Sequence, residues 1–216
     1  MFKNRKDAAI QLGKALEKYK GINALVLGIP RGGAETAYYV ARELEGDMGL
    51  VISRKLGHPQ NPEYAIGAIA EDGSIYLSPY ASSEVSEEEL AQIKKEQEEE
   101  IKSRIQRFRN GKPLPEMKGR TVILVDDGIA TGATLMATIM LCKNNEAQKI
   151  VVGAPVSSRE MAKKLKTLVD DVIILEIPYD YHAVSQVYEE FFNLRDEDAI
   201  QFLKDWEKSK KENQNK

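Results

Sequence analysis

Apolar positions in this chain alternate between helical spacing and short unbroken runs. From residue 3 to 19, Ala8, Ile10, Leu12, Ala15 and Leu16 recur among charges as the stripe of an amphipathic helix, and Gly21 suits its end. Residues 24–29 are then an uninterrupted apolar run, the pattern of a strand buried on both faces. Pro30-Arg31-Gly32-Gly33 breaks it, helical spacing returns over residues 34–44, and residues 50–53 predict a second buried strand. Strand, tight loop, helix and strand within about thirty residues is the size of a parallel βαβ unit.

Residues 54–62 hold Gly57, Pro59, Asn61 and Pro62 and read as a loop. Short apolar runs at 65–70 and 74–77 flank Glu71-Asp72-Gly73, and Asp-Gly between such runs predicts a hairpin. A long helix is expected over 86–108. Ser86 and Glu89 form its capping box, and Leu90, Ile93, Ile101, Ile105 and Phe108 give it a thin apolar stripe. Glu98 with Lys102, and Glu100 with Arg104, stand four apart in the favourable order. This pattern describes a half-exposed helix lying over the core, with partner binding as the alternative use. Beyond a connector at 110–119, strands are predicted at 122–125, 150–152 and 172–177, helices at 134–142, 158–168 and 196–206, and a disordered polar tail at 208–216. The expected fold is α/β: a parallel sheet covered by helices on both faces, with a lid-like β-hairpin and an added long helix. It is read as one domain over 1–207, including a helical insertion at about 84–112.

Composition narrows the function classes. Of 216 residues, 42% are apolar and 30% charged, with a net charge of −3. That balance builds a core with a soluble surface and lacks the basic bias of a nucleic-acid binder, so no nucleic-acid partner is expected. No apolar stretch reaches bilayer length, and residues 1–16 lack the apolar run of a signal peptide, so no membrane partner is expected. The single cysteine, Cys142, cannot form an internal disulfide and reads as core filler; a reducing, cytoplasmic setting follows. His58, His182 and Cys142 are too few for a structural zinc site.

The chemistry concentrates in Val122-Ile123-Leu124-Val125-Asp126-Asp127-Gly128-Ile129-Ala130-Thr131-Gly132-Ala133-Thr134. A buried strand ends in two adjacent carboxylates, a loop with hydroxyls and a glycine follows, and a helix begins. Ligands of open α/β sheets bind beyond the carboxyl ends of the strands, and a helix start with free N–H groups suits a phosphate. Gly132 permits close approach of the backbone, and Thr131 and Thr134 add hydroxyl donors. Carboxylates repel phosphate, so Asp126 and Asp127 need another target: vicinal hydroxyls, or Mg²⁺. A ribose 5-phosphate wants both halves of this arrangement. The plainer use of paired acids, capping the next helix, explains a lone Asp-Asp but not the whole string.

This string resembles the phosphoribosyl pyrophosphate (PRPP) motif of type I phosphoribosyltransferases. Pro30-Arg31-Gly32-Gly33, Arg54-Lys55-Leu56-Gly57, Asn61-Pro62-Glu63 and Ile66-Gly67-Ala68 are similar to a subgroup of predicted phosphoribosyltransferases, some fused to hydrolase-like domains. The resemblance covers residues 24–192. It implies displacement of pyrophosphate from C1 of PRPP by a nitrogen nucleophile with Mg²⁺, on an unidentified acceptor base. It implies catalytic and metal-holding roles, direct or through water, for Asp126 and Asp127. Ala130, Thr131, Gly132, Ala133 and Thr134 would hold the 5-phosphate, and Arg31, Gly32, Gly33, Arg54 and Lys55 the pyrophosphate. The hairpin region 57–76 would be a lid, with His58 a candidate ligand within it. Tyr179, Tyr181 and His182 would lie where the family contacts the base, packing of the C-terminal segment being the alternative. An unusual peptide after Arg31, cis being the candidate form, is also implied. Related folds often pair, which makes a homodimer the candidate assembly. The competing class is a non-catalytic sensor of PRPP or a nucleotide; such regulators usually add a nucleic-acid-binding module, and none is visible in residues 1–216.

One departure bears on the acceptor. Relatives that use hypoxanthine and guanine carry a third acid three residues after the second, where this chain has Ala130. Unless Glu63 or Asp180 substitutes, 6-oxopurines are expected to be poor acceptors. Steady-state assays with hypoxanthine, guanine, adenine, orotate and uracil at saturating PRPP check this, and efficient turnover of hypoxanthine or guanine would contradict it.

Overall fold

Strands that are apolar on both faces must be covered on both, and helices do this here. The computed structural model describes residues 1–214. In chain order the elements are α1 (Arg5–Ala15), β1 (Leu25–Gly28), α2 (Gly32–Leu44), β2 (Asp47–Leu50), β3 (Ser53–His58), β4 (Asn61–Ala70), β5 (Ile75–Leu77), α3 (Ala81–Glu84), α4 (Glu87–Arg109), β6 (Thr121–Val125), α5 (Ala133–Asn144), β7 (Lys149–Val156), α6 (Arg159–Leu165), β8 (Asp171–Glu176) and α7 (Asp196–Gln214). Five strands form a parallel sheet in the order β2-β1-β6-β7-β8, so β6 is central. Val26, Ile123, Val125 and Val151 pack with α1, α2 and α7 on one face. Their neighbours Leu25, Leu27, Val122, Leu124 and Val152 pack with α5 on the other. The alternation follows from the period-two direction of strand side chains. Cys142 is buried in the second layer as expected, and burial pushes its thiol up to about 12. Among the described residues, no helix is long and apolar enough to cross a membrane.

A second, antiparallel sheet, β3-β4-β5, stands beside the first. Two expectations are corrected here. The run at 50–53 is not one strand: β2 ends at Leu50, where its partner β1 ends at Gly28, and the chain leaves the parallel sheet through Val51 and Ile52. Residues 54–62 are not one loop: 54–58 belong to β3 and 61–62 to β4, paired from Ser53↔Ala70 to His58↔Asn61, and Pro59 and Gln60 alone make the turn between them. The glycine and prolines that read as loop signals lie at an irregularity, at the turn and at a strand start of this hairpin. Register shifts flank Gly57, and Pro62 is the second residue of β4. The predicted Asp-Gly turn joins β4 and β5, with Gly73 at φ +87° and the Ser74 N–H donating to Asp72 Oδ1 at 2.8 Å.

Helix α4 carries the predicted capping box, with Ser86 and Glu89 bonded reciprocally. Arg104 pairs with Glu100 at 2.9 Å, whereas Glu98 pairs with Lys94 rather than Lys102. The expected disordered tail is corrected as well. Helix α7 continues through Gln214, because Lys210 pairs with Asp47 and Trp206 is buried against the core, which anchors the turns around residue 208. Residues 215–216 of that expected tail lie outside the described residues.

The two sheets and α4 are joined by one buried ion pair. Arg109, at the end of α4, bonds the Glu71 carboxylate through both Nη groups and donates to Leu50 O at 3.0 Å. Glu71 also accepts from the Ile52 N–H at 2.9 Å. Burial pushes the Glu71 carboxyl up, and the Arg109 and Ile52 bonds pull it back. Removing one partner of such a pair strands the other charge, at about 3–5 kcal/mol. Glu71→Ala is therefore expected to lower stability by about that amount, read as a lower denaturant midpoint with an unchanged slope.

Candidate active site

The chain ends of β1 and β6 bring the two central sequence features into contact. Gly28 pairs with Val125, so the turn after β1 and the carboxylates after β6 emerge side by side. A Cβ on Gly32 would collide with the Asp127 carboxylate, and one on Gly33 would lie 2.8 Å from Val125 O and 3.2 Å from Asp126 Oδ1. The glycine pair is therefore needed for proximity: the start of α2 rests directly on the acids. The cis peptide in this turn joins Pro30 to Arg31, one residue before the expected position.

Two adjacent carboxylates at a strand end repel each other, and the surroundings treat them differently. Asp126 Oδ1 accepts from the Asp127 N–H at 2.9 Å. Part of the Asp126 surface faces the cleft, but its carboxyl sits deep among protein atoms. That burial, and then the Asp127 charge beside it, push it well above the usual carboxylate range. Asp127 has a partner that sequence reasoning missed. Arg5, buried at the start of α1, donates from Nε to Asp127 Oδ2 at 2.7 Å. Its Nη1 donates to Phe192 O at 2.5 Å, and the guanidinium lies 3.9 Å from the centre of the Phe191 ring. The Tyr188 hydroxyl donates to Asp127 O at 2.6 Å. A signal for Arg5 exists in the sequence. It stands three, four, seven and eight residues before Ala8, Ala9, Leu12 and Gly13, which puts a cation on the buried stripe of α1.

The loop after Asp127 is fastened at Ile129, whose N–H donates to Val156 O at 2.9 Å and whose carbonyl accepts from the Tyr181 hydroxyl at 3.2 Å. Ala130 and Thr131 are exposed, Gly132 and Ala133 are buried, and Thr134 is half-buried. Gly132 caps α5 in the left-handed region, φ +70°.

A cavity of about 570 Å³ opens from this point toward the antiparallel sheet. Asp126, Thr134 and Pro30 line one side, and Arg54, Lys55, His58 and Glu63 another. Not every candidate reaches it. The Arg31 guanidinium turns to Asp196, at 3.9 Å. Tyr179 is 98% exposed, and His182 pairs with Asp180 at 2.9 Å on the surface. Of these three aromatic candidates only Tyr181 is tied to the motif, through Ile129.

A parallel sheet whose central strand ends in paired acids against a glycine turn is the frame of a phosphoribosyltransferase. A family model of the phosphoribosyl transferase domain matches residues 3–191, and the chain belongs to that family. Two Mycobacterium tuberculosis proteins, provisionally named phosphoribosyl transferases, are 34% identical over 205 residues, covering 94% of this chain and 46% of theirs. The chain thus spans about half the length of these curated relatives. A uracil phosphoribosyltransferase of Aeropyrum pernix is 26% identical over 156 residues, 68% of this chain and 70% of that protein. A crystal structure from Thermus thermophilus is 38% identical, with a TM-score of 0.82 over 95% of this chain and 98% of that one.

The contact between Gly32 and Asp127 is testable through its coupling. Gly32→Ala forces the Asp127 carboxylate off Arg5, but in an Asp127→Ala background the methyl has room. The two substitutions are expected to be non-additive in unfolding free energy, by about 0.5–3 kcal/mol. Strict additivity in denaturation midpoints at constant slope would contradict the contact.

Proposed function

We propose that this chain is a phosphoribosyltransferase that binds PRPP with Mg²⁺, transfers the phosphoribosyl group to a nitrogen nucleophile of a nucleobase and releases pyrophosphate. The observation that supports the reading is the meeting, around one cleft, of Asp126, with Asp127 beside it, for a diol, Thr134 at a helix start for a phosphate and two unpaired cations for a second phosphate group. Arg54 and Lys55 have no carboxylate within ion-pair distance among the described residues.

In this reading the 5-phosphate lies over residues 130–134, where Gly132 permits backbone approach and Thr131 and Thr134 donate. Asp127 uses Oδ2 on Arg5, which leaves Oδ1 for a ribose hydroxyl. Asp126 takes the other hydroxyl. Pyrophosphate faces Gly32, Gly33, Arg54 and Lys55. Arg31 is held only loosely by Asp196, at 3.9 Å, and turns to the same group.

The donor set fits Mg²⁺, which is commonly held by one or two carboxylates together with substrate oxygens. A cation beside Asp126 also relieves the burial that disfavours its charge. Asp126 and Asp127 would hold the ion, directly or through water; when bound it neutralises charge on the departing pyrophosphate. The protein's own work is positional and electrostatic. The C1–O bond to pyrophosphate breaks as the nitrogen nucleophile bonds to C1; the electron pair leaves with pyrophosphate, and the proton of the nitrogen is released to solvent. Positive charge on the ribose ring builds beside Asp126 and Asp127, whose fixed carboxylates stabilise it without moving. In this reading the hairpin β3-β4, whose residues line the cavity, excludes water from the site. The expected setting is the cytoplasm, and the expected assembly a homodimer.

Calorimetry with PRPP tests the site. Asp126→Asn and Asp127→Asn are each expected to weaken PRPP binding at least about tenfold, the scale of one lost hydrogen bond to a charged group. Chelation of Mg²⁺ should weaken it as well. Unchanged affinity in both variants would refute the assignment. Tight PRPP binding without pyrophosphate release, across a panel of nitrogen acceptors, would mark a sensor in place of an enzyme.

A further inference from the structure

Helix α4 has an interrupted stripe. One inward row runs Leu90, Ile93, Gln97, Ile101, Arg104 and Phe108, at steps of three and four, and two of these six are polar. A helix that merely covered a core would fill both with apolar residues. Both line the cavity that Asp126 and Thr134 line from the sheet side.

Arg54 and Arg104 are held alike. Arg54 Nε donates to Gln97 Oε1 at 3.0 Å, and Arg104 Nε donates to Glu100 Oε1 at 2.9 Å. Among the described residues, neither Nη group of either guanidinium has a protein acceptor, and Glu100 is the single carboxylate within ion-pair distance of the two. Both arginines line the same cavity, and burial, and then the Arg104 charge, hold Arg54 below its usual range. The Ser53 hydroxyl, on the same cavity wall, is buried without a partner. Two guanidiniums with anchored Nε edges and open Nη edges form a fork geometry suited to a multiply charged oxyanion.

We propose that α4 completes the pyrophosphate clamp of this enzyme: Arg104 binds the pyrophosphate group together with Arg54, and Gln97 is the positioning residue that aims Arg54. The inference rests on the reading of the cleft as a PRPP site and adds a role for the inserted helix. A diphosphate brings enough negative charge to offset the repulsion between the two arginines. Gln97 suits the positioning task better than a carboxylate, because it fixes the Nε edge while leaving the Arg54 charge for the ligand.

The test separates the two halves of the substrate. Inorganic pyrophosphate and ribose 5-phosphate are titrated separately, with Mg²⁺, into the full chain and its variants, with thermal melts as a fold control. Arg104→Gln is expected to weaken pyrophosphate binding by roughly 10- to 100-fold, as loss of a charge-assisted hydrogen bond does, with ribose 5-phosphate binding unchanged. Arg104→Lys should fall between. Gln97→Ala should weaken pyrophosphate binding in the wild-type background and have no further effect in Arg54→Gln, which a merely structural role would not produce. Pyrophosphate affinity unchanged in Arg104→Gln, with wild type binding both ligands, overturns the clamp and leaves the PRPP site standing. Equal loss of both ligands also overturns the clamp. Failure of wild type to bind either ligand overturns the PRPP reading itself.

Discussion

The site depends on keeping two like charges side by side at the end of a buried strand. Asp126 and Asp127 repel, and β6 offers them little solvent. The structure separates their environments. Asp127 is neutralised by Arg5, while Asp126 is left buried with a backbone N–H and a cleft in front of it. Arg5 is itself fixed by the Phe191 ring and the Phe192 carbonyl. The N-terminal segment and residues 187–192 are thus drawn together at the motif, the Phe2 N–H donating to Val187 O at 2.7 Å. An isolated pair of acids on this strand would be poorly tolerated; here one acid has its partner supplied and the other is left at the cleft.

The opposite wall of the cleft obeys a different constraint. Arg109 and Glu71 form a buried pair that bonds backbone groups on both sides of the exit from β2, so the antiparallel sheet and α4 are set at a fixed place relative to the acids. The rim of the hairpin is held more lightly. His58 contacts Glu84 O at 3.3 Å and Tyr64 donates to Glu84 Oε1 at 3.2 Å, both near the surface.

By itself, the sequence determined the parallel sheet, the capped helix α4, the buried Cys142 and the location of the acids, because each is written in local spacing: unbroken apolar runs, a Ser-x-x-Glu box, or a dipeptide ending a strand. Tertiary structure decided the rest. The strand ends at 50–53 were illegible because β2 stops where its partner stops, which no local pattern encodes. Residues 54–62 looked like a loop because Gly57 and Pro62 also serve irregular pairing, and strand partners lie in another segment. Helix α7 outlasted its apolar stripe because Lys210 found Asp47, and 163 residues separate them. Arg5 and Gln97 each sat visibly on an inward helical face, but what an inward polar group touches is fixed only when distant elements meet; that is why the acids and Arg54 and Lys55 could be read from the chain, and the counter-ion Arg5 and the α4 side of the cleft could not.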